Sequence, residues 1–384
     1  MSTLKVNTVL SADTPTVNIT DGLNVTGVST VANITATTVT STNIVNSTPL
    51  SNRNKVINGA MTVSQRGSSF AAANNVFTLD RYKIFGSHDG AVTVTQSSTS
   101  PDDFANSLKV DVTTADTSIA AGQYIQLNHR IEAQDLQDLA YGTSAAKTIT
   151  VSFYVRSNVT GNYSFAIQLP DNSNKQVSLV YTINSADTWE RKTFSIAGDT
   201  SGGINDDNGN GFNIFWNLAI GTQYTSGTQR SAWHAYADAD FAAGHAVNLL
   251  SSTSNEWHLT GVQIEVGSVA TPFEHKTYAQ ELNRCMRYYE GIYMGTGTAL
   301  FRTYTNTAGS PSNCSNTDYN FKVEKRASPT WAVEGNAQWA PANNTTAMSA
   351  YPSKSTCMFQ RNDTSHQFLT DANGDLCGSF SAEL

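Results

Sequence analysis

The feature that most constrains the fold of this chain is a series of segments in which apolar and polar residues alternate. Alternation with a period of two places one face of a β-strand against a core and the other face toward water. Turns rich in Gly, Asn and Asp separate these segments. Residues 54–273 are therefore predicted to form an antiparallel β-sandwich. The clearest runs are Ile149/Val151/Phe153/Val155, Tyr163/Phe165/Ile167/Leu169, Val177/Leu179/Tyr181/Ile183 and Phe212/Ile214/Trp216/Leu218/Ile220.

Residues 1–50 follow a different pattern. Val, Ile and Leu recur every few positions among Ser, Thr and Asn, and the first aromatic residue is Phe70. β-Branched residues favour extended backbone, but this segment lacks large side chains with which to build its own core. A stretch this polar could be disordered. The regular aliphatic spacing favours instead a fibrous, trimeric β-stem whose strands bury their apolar edges against identical copies.

Two short helices are predicted. Thr277 and Gln280 have the spacing of a capping box, in which each side chain satisfies a free backbone donor of the other. The residues that would form the buried face of this helix are Tyr278, Leu282, Cys285, Met286 and Tyr289. A shorter helix fits residues 132–139.

The predicted fold class is therefore all-β, with four parts. They are a stem at residues 1–50, a sandwich at 51–275, a connecting helix at 276–290 and a small β-rich tip at 291–384. The tip is rich in Gly, Asn, Ser and Thr and has no long periodic run.

Composition excludes several functions. The net charge of −8 and the lack of a basic cluster argue against nucleic-acid binding. No stretch approaches the roughly 18 apolar residues of a spanning helix, so membrane insertion is not expected. Because no secretory signal is visible, the four cysteines are expected to be reduced thiols, with a disulfide among the last hundred residues as the alternative.

Several motifs in succession resemble a jelly-roll module of bacteriophage tail proteins. They are NKVINGAMTVSQRG at 54–67, FTLDRY at 77–82, AAKTITVSFYVRS at 145–157, WERKT at 189–193, GDTSG at 198–202, LTGVQIEVG at 259–267, ATPFEH at 270–275 and RCMRYY at 284–289. Phrases such as LNVTGVST at 23–30 are similar to stem repeats of fibre proteins from phages of marine cyanobacteria. Residues after 290 match no pattern of this kind.

The resemblance implies a virion protein that is assembled in the host cytoplasm. It would be a homotrimeric tail fibre with a carbohydrate-binding-like jelly roll that recognises bacterial surface glycan. Residues 1–50 would then contact other tail or capsid proteins. A purely structural role, as capsid decoration, head fibre or tail adaptor, is the alternative, and an enzyme that trims glycan is a third hypothesis.

One loop has the composition of a calcium site. Calcium prefers several oxygen ligands from Asp, Asn and backbone carbonyls, which this glycine-rich loop contains. The candidate ligands are Asp199, Asp206, Asp207 and Asn208. A solvated turn between two strands is the favoured interpretation, and no cofactor is expected.

Aromatic residues are the candidate ligand-binding groups, because sugars stack their flat C–H faces on such rings. The candidates lie in segments without clear strand alternation: Trp233, Tyr236, Trp331, Trp339 and Tyr351. Burial in the core or in the trimer interface is the favoured alternative for this set.

No catalytic residues are assigned. A glycosidase needs two carboxylates across a cleft, whereas the acidic pairs Asp102/Asp103, Asp206/Asp207 and Asp238/Asp240 are expected to be solvated on loops. The seven histidines form no metal-binding pair by spacing. His129 and His258 lie beside apolar strand residues and are expected to be packed.

Overall fold

The computed structural model describes residues 51–72, 74–293, 315–333, 338–340, 349–361, 368–370 and 376–384. The stem predicted for residues 1–50 lies outside the described residues. Within the described part of the chain, no helix is both long and apolar enough to cross a membrane.

Two six-stranded sheets pack into the predicted sandwich. Sheet one has the order β1-β4-β5-β12-β7-β10, and sheet two has the order β2-β3-β6-β11-β8-β9. Every strand pair in them is antiparallel, so the predicted antiparallel jelly-roll sandwich is confirmed. The strands are β1 (Ser69–Ala72), β2 (Val76–Phe77), β3 (Tyr82–Ser87), β4 (Ala91–Ser97), β5 (Ser107–Thr114), β6 (Tyr124–Glu132), β7 (Ile149–Ser157), β8 (Gly161–Leu169), β9 (Lys175–Ile183), β10 (Glu190–Ile196), β11 (Asn210–Ile220) and β12 (Glu256–Val266).

The core lies between the sheets and follows the predicted alternation. Trp216 of sheet two lies 5.9 Å from Phe153 of sheet one, between ring centroids, and 5.3 Å from Phe165 of its own sheet. The prediction for the end of β11 was wrong. The β6–β11 register shifts between Asn217 and Ala219, and Ile220 packs with an outer cluster instead of the main core. A bulge of this kind reverses the faces of the residues after it.

The helices are short. A 3₁₀ helix at Ala133–Leu139 occupies the position predicted at 132–139, and α1 (Thr222–Thr225) follows β11. Further 3₁₀ turns are Pro170–Asn172, Asp238–Asp240 and Leu249–Ser251.

Helix α2 (Tyr278–Met286) has the predicted capping box between Thr277 and Gln280. Cys285 and Met286 are buried on it as expected. Tyr278 is 60% exposed, because it lies in the first turn and points away from the packed face. Tyr289 lies beyond the helix, in the next strand.

The chain after α2 forms three small antiparallel sheets with the orders β13-β20-β15, β14-β18-β17 and β16-β19. Their own core contains Ile292, Cys357, Phe359 and Phe380. The strands are β13 (Tyr289–Tyr293), β14 (Ser315–Asn320), β15 (Thr330–Val333), β16 (Gln338–Ala340), β17 (Ser349–Pro352), β18 (Thr356–Arg361), β19 (Phe368–Thr370) and β20 (Leu376–Ser381).

A buried polar junction joins these strands to the sandwich. Glu383 accepts hydrogen bonds from Arg66 and Arg81, which belong to the first part of the sandwich. Since an unpaired buried charge is costly, the Glu383 pairs require residues from both ends of the described chain. Within the part after α2, Lys325 and Glu290 form an ion pair at 2.6 Å with both side chains fully buried. Two of the cysteines, Cys285 and Cys357, are buried free thiols, as expected.

Candidate functional site

A cleft of about 240 Å³ lies on the outer face of sheet two. Its floor consists of residues that point away from the core. Along β6, Gln126 and Asn128 alternate with Ile125 and Leu127, which are fully buried in the core. The residues that line the cleft are Phe85, Tyr124, Gln126, Asn128, Arg130, Gln168, Asn213, Phe215, Tyr224, Tyr236 and Phe241.

Five of these residues form an aromatic wall, defined as Phe85, Tyr124, Phe215, Tyr224 and Phe241. The Tyr124 and Tyr224 rings meet edge to face at 5.6 Å, and the Phe215 and Phe241 rings do so at 5.3 Å. Tyr224 and Phe241 come from the segment at residues 222–243, which packs on this outer face. These contacts explain why large apolar rings lie on a side of the sheet that would otherwise face water.

Two amide side chains on the floor of the cleft have no hydrogen-bond partner among the described residues. Gln126 is 4% exposed and Gln168 is 8% exposed. Their side-chain amides have no hydrogen-bond partner in the described part of the chain, whereas Asn128 donates to the Asn213 side chain at 2.7 Å and to the Ile214 carbonyl at 2.9 Å. No nitrogen or oxygen of either amide is sealed off from solvent, so both amides face the open space of the cleft. Hydrogen-bond donors and acceptors beside aromatic rings are typical of a binding site for a polar ligand.

Tyr236 stands at the rim of the cleft with 42% of its surface exposed. Its hydroxyl donates to Asp238 at 2.5 Å, and Gln223 donates to the same carboxylate at 3.1 Å. Burial and the adjacent carboxylate raise the pKa of Tyr236, and the hydrogen bond from Tyr236 lowers the pKa of Asp238. These bonds hold the tyrosine ring at the edge of the cleft.

Among the aromatic candidates whose side chains the structure describes, Tyr236 is the one that lines the cleft. Trp233 is half-buried, packs 5.9 Å from the Tyr141 ring and donates to the Ala197 carbonyl at 2.9 Å. Trp233 therefore packs against the main core, in line with the burial that the sequence analysis favoured for this set. Whether Trp233 contacts a ligand stays a prediction.

The other three aromatic candidates lie after α2. The Trp331 ring packs against the rings of Phe359 at 5.0 Å and Phe380 at 4.7 Å. Tyr351 is 53% exposed on β17. Trp339 belongs to β16, and its side chain is outside the described set. A binding role for these three residues also stays a prediction.

The calcium candidates do not converge on one point. Asp199 is buried and accepts from Lys175 at 2.8 and 2.6 Å and from the Ser201 hydroxyl at 2.9 Å. Burial alone would raise the pKa of Asp199, but these hydrogen bonds hold it below its usual range. Asp206 and Asp207 are exposed. The Asn208 side chain donates to the Arg326 carbonyl, and the Arg326 guanidinium donates to the Asn208 carbonyl at 3.0 Å.

No group of three or more His, Cys, Asp or Glu side chains within the described ranges is placed to hold a metal ion. Calcium binding by this loop stays a prediction that a titration can test.

The remaining acidic pairs lie on exposed turns. Asp102 and Asp103 are both exposed. Asp240 accepts from the backbone of Thr228 at 2.7 Å and from Arg230 at 3.0 Å. Of the two histidines expected to be packed, His129 is 1% exposed and His258 is 2% exposed, so that prediction is confirmed.

The residues on the floor of the cleft were not singled out from the sequence. Alternation marks Gln126, Asn128 and Gln168 as pointing away from the core, but it does not show which outward face a later segment covers. One signal was present, because Tyr124 and Phe215 are large aromatic residues at outward positions.

Comparison with known proteins gives only distant likenesses. No family model and no curated protein matches the chain. The enzymatically active domain of tailspike protein 4 from bacteriophage CBA120 is 11% identical with a TM-score of 0.30, covering 56% of this chain and 21% of that chain. This chain thus spans about a fifth of the tailspike domain's length.

Two other solved structures are similar over most of their own length. A putative sugar binding protein from Bacteroides thetaiotaomicron is 12% identical with a TM-score of 0.32, covering 56% of this chain and 100% of that chain. A family 11 carbohydrate-binding module from Clostridium thermocellum, in complex with a mixed-linked tetrasaccharide, is 12% identical with a TM-score of 0.27, covering 54% and 98%. TM-scores this low support no inference about function.

Proposed function

We propose that this protein binds bacterial surface glycan in the cleft of sheet two, as the host-recognition part of a homotrimeric phage tail fibre. The observation that carries the proposal is that the Gln126 and Gln168 amides, which have no hydrogen-bond partner among the described residues, lie beside the aromatic wall. Sugars match both surfaces, because their C–H faces stack on rings while their hydroxyls bond amides. A bound sugar would supply the hydrogen bonds that the protein does not supply itself.

The virion assignment rests on the sequence. The aliphatic pattern of residues 1–50 and the succession of motifs resembling phage tail proteins support a trimeric appendage that is attached through its stem to tail or capsid proteins. Trimerisation would also serve recognition. Three linked clefts raise the effective concentration of each site, so weak individual binding suffices for firm attachment.

Glycan binding is tested on the full chain with an array of bacterial surface glycans. We expect binding that is lost when Gln126→Ala and Gln168→Ala are combined. Gln229→Ala, at an exposed glutamine that does not line the cleft, is the matched control and should bind normally. Binding that survives the double variant would contradict the assignment of the cleft.

Adsorption to host cells separates recognition from the structural alternative. If the double variant loses glycan binding but virions that carry it adsorb normally, then a capsid decoration, head fibre or adaptor role is favoured. Release of glycan fragments by the purified protein would favour an enzyme instead.

The oligomeric state is tested separately by mass photometry of the full chain. We expect a trimer, and we expect removal of residues 1–50 to weaken it. A stable monomer of the full chain would contradict the stem.

A further inference from the structure

One end of the cleft concentrates positive charge on a protein whose net charge is −8. Lys83 of β3 is the register partner of Asn128 of β6, and Arg130 lies two residues beyond Asn128. Side chains two residues apart on a strand share a face. Lys83 and Arg130 are therefore diagonal neighbours on the outer face of sheet two, and Arg130 lines the cleft itself.

Lys83 is a mostly buried cation that has no anionic partner among the described residues. It is 5% exposed, and its ammonium nitrogen lies 5.0 Å from the centre of the Phe77 ring and 5.6 Å from that of Phe85. Its ammonium makes no hydrogen bond or ion pair within the described residues. Burial and the charge of Arg130 lower the pKa of Lys83 to about 8. Even partial burial of an ammonium without a carboxylate is unfavourable.

Arg130 is also poorly satisfied. Its guanidinium makes one long hydrogen bond, from Nε to the Asn213 side chain at 3.4 Å, and no ion pair with the described residues. Burial and the nearby Arg81 lower its pKa. Glu383 is the carboxylate that acts on both Lys83 and Arg130, but its oxygens already accept from Arg66 and Arg81. The Lys83 ammonium and the Arg130 guanidinium therefore have hydrogen-bond donors and positive charge that the described residues do not pair.

We propose that the cleft selects acidic glycans, in which an anionic group on a sugar pairs with the Arg130 guanidinium while Lys83 supplies a second positive charge. This inference rests on the proposed glycan binding and names the class of ligand. A planar guanidinium matches a carboxylate with two parallel hydrogen bonds, and it also suits phosphate. The neutral part of the sugar would lie against the aromatic wall and the floor amides.

The experiment measures affinity of the full chain by calorimetry for matched pairs of probes. The pairs are trigalacturonate and its methyl ester, sialyllactose and lactose, and phosphorylated mannotriose and mannotriose. We expect the acidic member of at least one pair to bind about tenfold to a hundredfold more tightly, as is typical for charge-assisted bonds. The phosphate pair shows whether the anion is a carboxylate or a phosphate.

Variants then locate the preference. Arg130→Gln should remove most of the preference for the acidic member. Lys83→Met, which keeps an aliphatic stem against Phe77 and Phe85, should reduce the preference by a smaller factor. Arg191→Gln, at an exposed arginine on the outer face of sheet one, is the matched control and should change nothing.

Two outcomes overturn the proposal and are distinguishable. If the neutral and acidic members bind equally, the charge selection is wrong while glycan binding in the cleft stands. If no probe and no arrayed glycan binds, both proposals fail together. Should Arg130→Gln unfold on a thermal melt, Lys83→Met decides, because an unchanged preference in that variant contradicts the second positive charge that the proposal requires.

Discussion

The outer faces of the two sheets both carry polar residues, but these residues differ in whether their side chains have partners within the protein. On sheet one, Glu256 accepts from Lys109 at 2.7 Å and from Arg156 at 2.5 Å, so the charges satisfy one another. On sheet two, Gln126 and Gln168 are buried with no partner for their side chains in the described residues. The same alternating pattern thus produces one face whose charged side chains pair with one another and one face with amides that have no partner among the described residues.

The difference separates stability from binding. Glu265 on sheet one is 1% exposed and accepts from Gln263 at 2.9 Å and from the backbone and hydroxyl of Thr271 at 2.9 and 2.6 Å. Such groups stabilise the fold, because removing one leaves its partners buried and unpaired. The floor amides of sheet two make no such bonds with the described residues. Their removal should therefore lower the affinity for a ligand and leave the free energy of unfolding nearly unchanged.

The largest effect is expected at Glu265. Glu265→Ala leaves the Thr271 N–H without its acceptor and leaves the Gln263 amide and the Thr271 hydroxyl with longer bonds of 3.3–3.4 Å. We expect it to lower the free energy of unfolding by about 3 kcal/mol. Chemical denaturation measures this loss. Glycan affinity should remain unchanged at temperatures where the variant is folded, and a loss of affinity in the folded variant would break the comparison.

Acid should weaken sheet one through Glu256. Burial raises its pKa, but hydrogen bonds from Lys109 and Arg156 outweigh burial and lower the pKa from 4.5 to about 2. The stabilisation from this depressed pKa is therefore present above pH 4.5 and is lost as the pH falls through about 2. We expect a smaller loss than for Glu265→Ala, because solvent screens this partly exposed group.

Denaturation curves across this range measure the effect, with Glu256→Gln as the control. The variant should lose part of the pH dependence. An identical pH dependence in both proteins would contradict the assignment.

The floor amides should show the reverse behaviour. Gln126→Ala with Gln168→Ala should leave the free energy of unfolding within about 0.5 kcal/mol of the original, because no internal hydrogen bond is lost. The affinity for glycan should fall about tenfold or more. Calorimetry and denaturation on the same samples separate the two readouts, and a large stability loss would show that sheet two resembles sheet one.

The affinity for an acidic glycan should fall as the pH rises through about 8, where Lys83 loses its charge. The charged groups that face Lys83 are Arg130, Arg81 and Glu383. The Arg66 guanidinium also lies nearby, 5.2 Å from the centre of the Phe77 ring. We expect a change of a fewfold, since Arg130 keeps its charge. Calorimetry over this range should give a flat profile for Lys83→Met, and a flat profile for the original protein would count against Lys83.

The smallest effect is expected at Tyr236. Tyr236→Phe keeps the ring but removes the bond to Asp238, which should lower glycan affinity about threefold by loosening the rim. Tyr236→Ala removes the ring and should cost more. Equal affinities for both variants and the original protein would place the rim outside the binding surface.

The sequence predicted the sandwich and the capped helix well, because period-two alternation and the pair of Thr277 and Gln280 are local signals. It did not identify the cleft. That site depends on the segment at 222–243, which folds back over β6 and β11. It also depends on cross-strand pairing that gives the Gln126 side chain no hydrogen-bond partner among the described residues. The bulge between Asn217 and Ala219, which moves Ile220 to the outer cluster, is likewise invisible in a single strand's pattern.

The most direct test is a crystal structure of the full chain soaked with a glycan that the array selects. The account predicts density for the sugar in the cleft of sheet two, with hydroxyls within hydrogen-bonding distance of Gln126 and Gln168 and a ring against the aromatic wall. A sugar bound instead on the outer face of sheet one, or beside Tyr351 with the cleft empty, would contradict it.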